Sequence, residues 1–129
     1  MTKALVIDDD DIAREVIRSI LEGGGYKTYD LPSPIGATQM ILSERIDVLV
    51  VDLYMPSLSG DKLAKMLRQN RRLEGLTIVL VSSASIEELR PLANSVQADA
   101  VVSKADIRKQ LLPAITSARA AHSRRGAAG

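Results

Sequence analysis

Four short aliphatic runs constrain the fold more than any other feature of the chain: Ala4 to Ile7, Val48 to Val51, Ile78 to Val81 and Ala100 to Val102. Each is continuous and does not alternate with polar residues. A strand wetted on one face alternates, whereas a strand covered on both faces has no reason to. The runs therefore read as buried parallel strands. A fifth segment, Tyr26 to Leu31, alternates more and reads as a half-exposed edge strand.

Helical spacing fills the gaps. Ile12, Val16, Ile17, Ile20 and Leu21 mark a first helix, stopped by Gly23-Gly24-Gly25. Ser33-Pro34 supplies an N-cap and first turn for a second helix, over about 35–45. Leu63, Met66 and Leu67 mark a third after Gly60. A fourth covers Ser85 to Ser95. Pro91 removes a hydrogen bond there and predicts a short, kinked or late-starting helix. Ile107, Leu111, Leu112 and Ile115 mark a fifth, with a bend expected at Pro113. Strands alternating with helices imply an α/β fold, a doubly wound parallel sheet with helices on both faces. Right-handed crossovers and an edge-like second strand fit five strands in the order 2-1-3-4-5, the flavodoxin-like (βα)5 arrangement. Ligands of such sheets bind beyond the carboxyl ends of the strands, where strands 1 and 3 diverge.

The length of 129 residues suits one domain, expected over residues 1–120, followed by a flexible Ala/Gly/Arg-rich tail over 121–129. With no Phe, no Trp and three Tyr, the core must be aliphatic. The lack of cysteine excludes disulfides, thiolate metal sites and cysteine nucleophiles. No signal peptide is visible and no apolar stretch approaches the ~20 residues that span a bilayer, so a cytoplasmic location is expected. A net charge of +1 predicts no general attraction to nucleic acid or membrane, and Arg124-Arg125 is too short a basic run to change that.

The expected carboxyl ends carry the chemistry. The first strand ends in Asp8-Asp9, the third in Asp52, the fourth in Ser82-Ser83 and the fifth in Ser103-Lys104. On this topology three carboxylates, a hydroxyl and an ammonium converge on one sheet edge. Carboxylates held so close take up protons or bind a cation. Oxygen donors without His or Cys suit a hard cation such as Mg²⁺, with Mn²⁺ as the alternative. Lys104 then supplies a point charge for an anion. A cation, an ammonium and a hydroxyl around one carboxylate are what phosphoryl transfer to that carboxylate requires. Asp10 and Asp11 read instead as the start of the first helix, where negative charge is favourable.

The chain resembles a response-regulator receiver domain, the phosphoacceptor half of two-component signalling. The resemblance covers about residues 3–118 and rests on VIDDDD with Arg14 following, VVDLYMPSLSG, VLVSSA and Lys104. It implies that Asp52 accepts phosphate from a histidine kinase or phosphotransfer protein. It implies that Asp8 and Asp9 hold Mg²⁺ together with Asp52. The backbone carbonyl of Tyr54 completes the ligands, leaving its side chain exposed. Ser82 and Lys104 would meet the phosphoryl group. A downstream effector protein would then read a surface of the fourth helix, fifth strand and fifth helix. Such a domain is no enzyme beyond its own phosphorylation and dephosphorylation.

Two positions depart from the family pattern. Ala105 stands where proline usually follows the lysine, which favours a trans bond and a rearranged loop. Val101 stands where an aromatic is frequent. Both motivate a rival, a receiver-fold binding module that acts without phosphate. A second rival is a Mg²⁺-dependent phosphohydrolase with an aspartate nucleophile. It lacks a second acid two residues past Asp52, where Tyr54 stands, and room for a substrate cap. Met55-Pro56 and Gly60 read as turn-shaping, and the lone His122 as solvated.

Overall fold

Five parallel strands lie in the order β2-β1-β3-β4-β5, as the hydrophobic pattern predicts. They are β1 (Lys3–Ile7), β2 (Lys27–Leu31), β3 (Val48–Asp52), β4 (Thr77–Ser82) and β5 (Ala100–Ser103). Five helices connect and follow them: α1 (Asp11–Gly23), α2 (Ala37–Glu44), α3 (Gly60–Arg68), α4 (Ile86–Ser95) and α5 (Ile107–Ala128). The computed structural model describes the backbone of residues 1–56 and 58–128, and the side chains of these except 86 and 123–128. The tail expected over 121–129 falls largely on residues outside the described side chains.

The continuous aliphatic runs divide between the two faces by the period of the strand. Leu5, Ile7, Leu49, Val51, Ile78 and Leu80 join the core under α2, α3 and α4. Ala4, Val6, Val48, Val50, Val79, Val81 and Val102 join the core under α1 and α5. Burial on both faces explains why no polar residue interrupts these runs. The edge strand β2 has no fully buried residue, in keeping with its alternation.

Three local expectations are corrected. The second helix starts at Ala37, not at 35. The Ser33 hydroxyl accepts the Ile35 amide at 3.3 Å and closes a turn instead of a helix cap. Gly36 then takes φ +81°, a left-handed conformation that a helix cannot include and that glycine adopts without strain. Ile12 is 78% exposed although it falls on the helical spacing of α1, because it occupies the first turn, beyond the end of β1. The fourth helix is not late-starting: it begins at Ile86 and runs through Pro91, whose ring lies on the exposed side. Helix α5 likewise continues through Pro113.

His122 is also not solvated. Its Nε2 lies 2.7 Å from Asp99 Oδ1, and the imidazole is 18% exposed. The helix stays regular long enough to return His122 to the start of β5. Asp99, its side chain 7% exposed, is a hub at the amino edge of the sheet. It also meets Arg68 of α3 at 2.6 Å and accepts the Ile78 amide at 2.7 Å.

Candidate functional site

Strand register brings the acidic residues together. Ile7 pairs with Val51, and Asp52 pairs with Val81. Asp8, one residue past Ile7, therefore stands beside Asp52 at the carboxyl edge. Ser82 and Ser103 pair on the next two strands, and Lys104 follows directly. No single segment holds this group; the parallel register assembles it.

The resulting geometry is compact. Carboxylate oxygens of Asp8, Asp9 and Asp52 lie within 4.8 Å of one another. Asp8 is fully buried and Asp52 is 6% exposed, whereas Asp9 faces solvent. Lys104 Nζ lies 3.1 Å from Asp8 Oδ2 and 3.5 Å from Asp52 Oδ2. Tyr54 folds its main chain against the same carboxylate: its N–H donates to Asp52 Oδ1 at 3.4 Å, while its side chain is 58% exposed. The Ser82 hydroxyl is buried and accepts the Ala84 amide at 3.1 Å. Among the described residues no acceptor takes its proton.

The loop after β3 is fixed from below. Leu53 and Met55 are buried in the core, and the Gly60 amide donates to the Leu53 carbonyl at 2.9 Å. A Cβ on Gly60 would collide with the Asp52 carbonyl oxygen, so glycine is required by the close approach. Gly60 is thus turn-shaping, as expected. Met55 does more, because it anchors the loop that positions Asp52.

Electrostatics follow from burial. Burial pushes the Asp52 carboxyl above the ordinary carboxylate range, and the neighbouring Asp8 charge adds to the rise. Lys104 and the Tyr54 amide oppose it. Burial disfavours the Lys104 ammonium, but its contact with Asp8 and the charges of Asp52 and Asp8 outweigh that and raise its pKa.

The donor set fits a hard divalent cation. All three acids offer only oxygen, and buried Asp8 Oδ2 has the Lys104 ion pair without an aligned hydrogen bond. A carboxylate oxygen so placed can still serve as a ligand. Asp10 and Asp11 take the helix-starting roles expected of them. The Asp10 side chain accepts the Ile12 amide at 3.0 Å and the Ala13 amide at 3.4 Å. Asp11 pairs with Arg14 at 2.6 Å. The Lys104–Ala105 bond is trans, as expected without proline. Lys104 opens a single 3-10 turn, which Ser103 caps by accepting the Ala105 amide at 3.2 Å.

Sequence reasoning did not find Asp30. This residue of β2 binds Arg14 Nε at 2.8 Å, and Arg14 Nη1 reaches the Asp8 carbonyl at 2.8 Å. The i,i+3 spacing of Asp11 and Arg14 was a signal for their own ion pair, the third contact of this guanidinium. Nothing local announced the other two.

A doubly wound five-stranded sheet with an acid triad, a lysine and a hydroxyl at its carboxyl edge defines a flavodoxin-like domain. The sequence pattern of the response regulator receiver domain matches residues 4–116, and the chain belongs to that family. Polar-differentiation response regulator DivK of Brucella ovis is 23% identical over 88 residues, 67% of this chain and 72% of that protein. Response regulator MprA of Mycobacterium ulcerans is 39% identical over 66 residues, 51% of this chain; the chain spans 28% of that relative's length. Among solved structures, a putative response regulator from Chloroflexus aurantiacus superposes with a TM-score of 0.85 at 24% identity, covering 92% of this chain and 98% of the other. Chemotaxis protein CheY4 of Vibrio cholerae superposes with a TM-score of 0.83 at 22% identity, with the same coverages. Among the described residues no helix is long and apolar enough to cross a membrane.

Proposed function

We propose that this receiver domain is a cytoplasmic phosphoacceptor that takes a phosphoryl group on Asp52 from a partner histidine kinase or phosphotransfer protein. The observation that carries the reading is the meeting of Asp8, Asp9 and Asp52 with Lys104 at the edge where β1 and β3 separate. Asp8 and Asp9, with Asp52 and the Tyr54 carbonyl, would hold Mg²⁺ or Mn²⁺. Bound there, such a cation would supply positive charge against the phosphoryl oxygens.

The chain's own groups do the rest. An Asp52 carboxylate oxygen forms the bond to phosphorus as the bond from phosphorus to the kinase imidazole breaks. Lys104 is placed to shift its ion pair from Asp8 and Asp52 to a phosphoryl oxygen. Ser82 has a proton to donate to another. The two contacts so formed pull on the ends of β4 and β5, which continue into α4 and α5. That face is the surface a downstream effector would read. The domain performs no turnover beyond its own phosphorylation and dephosphorylation.

A small phosphodonor with Mg²⁺ should add one acid-labile phosphate to the folded protein, seen by intact mass, and Asp52→Asn should abolish it. A folded protein that gains no mass overturns this reading in favour of a phosphate-independent binding module. Turnover of a free phosphate ester favours the hydrolase.

A further inference from the structure

We propose that Arg14 is a positioning residue for the cation site and that Asp30 is its anchor. The inference rests on the proposed function of that site. Arg14 touches no proposed ligand side chain. Its three guanidinium nitrogens each meet a different oxygen: Nη1 the Asp8 carbonyl at 2.8 Å, Nε Asp30 Oδ2 at 2.8 Å, and Nη2 Asp11 Oδ1 at 2.6 Å. The side chain is 15% exposed. A planar fork held at three corners fixes the oxygen it donates to.

That oxygen matters because it belongs to the peptide joining Asp8 to Asp9. The Asp8 amide is already tied to the Leu31 carbonyl at the end of β2, at 3.3 Å. The Asp8 carboxylate is held from the other side by the Asp10 amide at 2.9 Å. Lys104 also meets that carboxylate, and Asp10 is tied to the start of α1, but the carbonyl of the Asp8–Asp9 peptide is held by Arg14. Asp9 depends on this most. Among the described residues its carboxylate has no hydrogen bond or ion pair, so its aim is set by the backbone alone. Asp30 in turn is braced by Arg18 Nη1 at 3.6 Å, which leaves it facing Arg14. The end of β2, the edge strand, thus sets the direction in which the β1–α1 turn presents its acids.

The alternative is that Arg14 acts only through its charge. The two accounts differ in sign. Removing a cation near the site, and leaving Asp11 and Asp30 unbalanced, would tighten Mg²⁺ binding if charge alone counted. Loss of positioning weakens it.

The test is Mg²⁺ titration of the whole chain, followed through the backbone amide resonances of residues 8–10 and 52–54. Arg14→Gln should weaken Mg²⁺ binding about tenfold, the scale on which loss of an outer support affects a metal site. Arg14→Lys keeps the charge but not the fork and should weaken it by less. Asp30→Asn leaves the arginine in place without its anchor and should also weaken it. Wild-type Mg²⁺ binding with equal or tighter binding by Arg14→Gln overturns the positioning role and leaves the proposed function standing. If Arg14→Gln does not fold, Arg14→Lys decides: unchanged affinity overturns the role and reduced affinity supports it. A wild-type protein that binds no Mg²⁺ overturns the proposed function and this inference together.

Discussion

At the scale of single residues, the site is a set of groups whose charges are not balanced inside the fold. Asp52 is the sharpest case. Burial, with help from Asp8, raises its pKa, so the folded chain holds this proton more tightly than the unfolded chain does. Stability therefore falls as pH rises from the ordinary carboxylate value of 3.8 through the raised one. Above that window the metal-free fold carries the cost of a buried charge beside Asp8. Asp52→Asn should consequently raise the melting temperature of the metal-free protein at neutral pH. The gain should shrink in mild acid, where Asp52 is itself protonated. Thermal unfolding of both proteins across pH checks this, and a variant less stable at neutral pH would contradict it. On the proposed function, a cation bound beside Asp8 and Asp52 would offset this cost.

At the scale of elements, the two prolines inside helices stand out. Pro91 deprives the Glu87 carbonyl of its helical partner and crowds the preceding turn, yet α4 forms through it. The helix is held by Leu89 and Ala93, which are buried, while the proline ring faces outward. Packing thus outweighs propensity, and the proposed reading face includes a helix with a built-in weakness. Pro91→Ala should restore the hydrogen bond and remove the clash. Part of that gain is offset by the greater freedom of the unfolded chain. The expected net is a stabilisation of about 1–3 kcal/mol, read by denaturant unfolding. Hydrogen exchange should slow at the same time in the α4 amides. No change in stability would mean that the helix has already relaxed around the ring.

At the scale of the whole molecule, the two ends of the sheet are built differently. The carboxyl edge gathers three carboxylates against one lysine, and the amino edge gathers a polar hub around Asp99. Asp99 receives Arg68 from α3 at 2.6 Å and the Ile78 amide from β4 at 2.7 Å, and it faces His122 of α5 at 2.7 Å. Arg68 Nε also donates to the Gln97 carbonyl at 2.9 Å. Helix α3 lies on one face of the sheet and α5 on the other, so this hub clamps both layers at the start of the edge strand β5. Asp99→Ala leaves a nearly buried guanidinium without its carboxylate. It should cost about 3–5 kcal/mol in unfolding free energy, while phosphorylation of the variant that remains folded proceeds. A cost below about 1 kcal/mol would show that solvent replaces the hub.

The chain alone determined the sheet, its order and the acids at its carboxyl edge, because those follow from local period and from where each aliphatic run stops. Val48 to Val51 cannot run uninterrupted unless both faces are covered, and Asp52 can only sit where that run ends. The spacing of Ile12 with Val16 was equally clear locally, yet it misplaced Ile12, because spacing does not say how far a helix extends past the sheet. Asp30, Asp99 and His122 were invisible for a related reason. Their partners lie 16 residues away for Asp30–Arg14 and 31 for Asp99–Arg68, and only the closed fold brings them within hydrogen-bond distance. The tertiary structure thus decided what holds the site and the sheet from outside, since ion pairs between elements leave no period in the sequence.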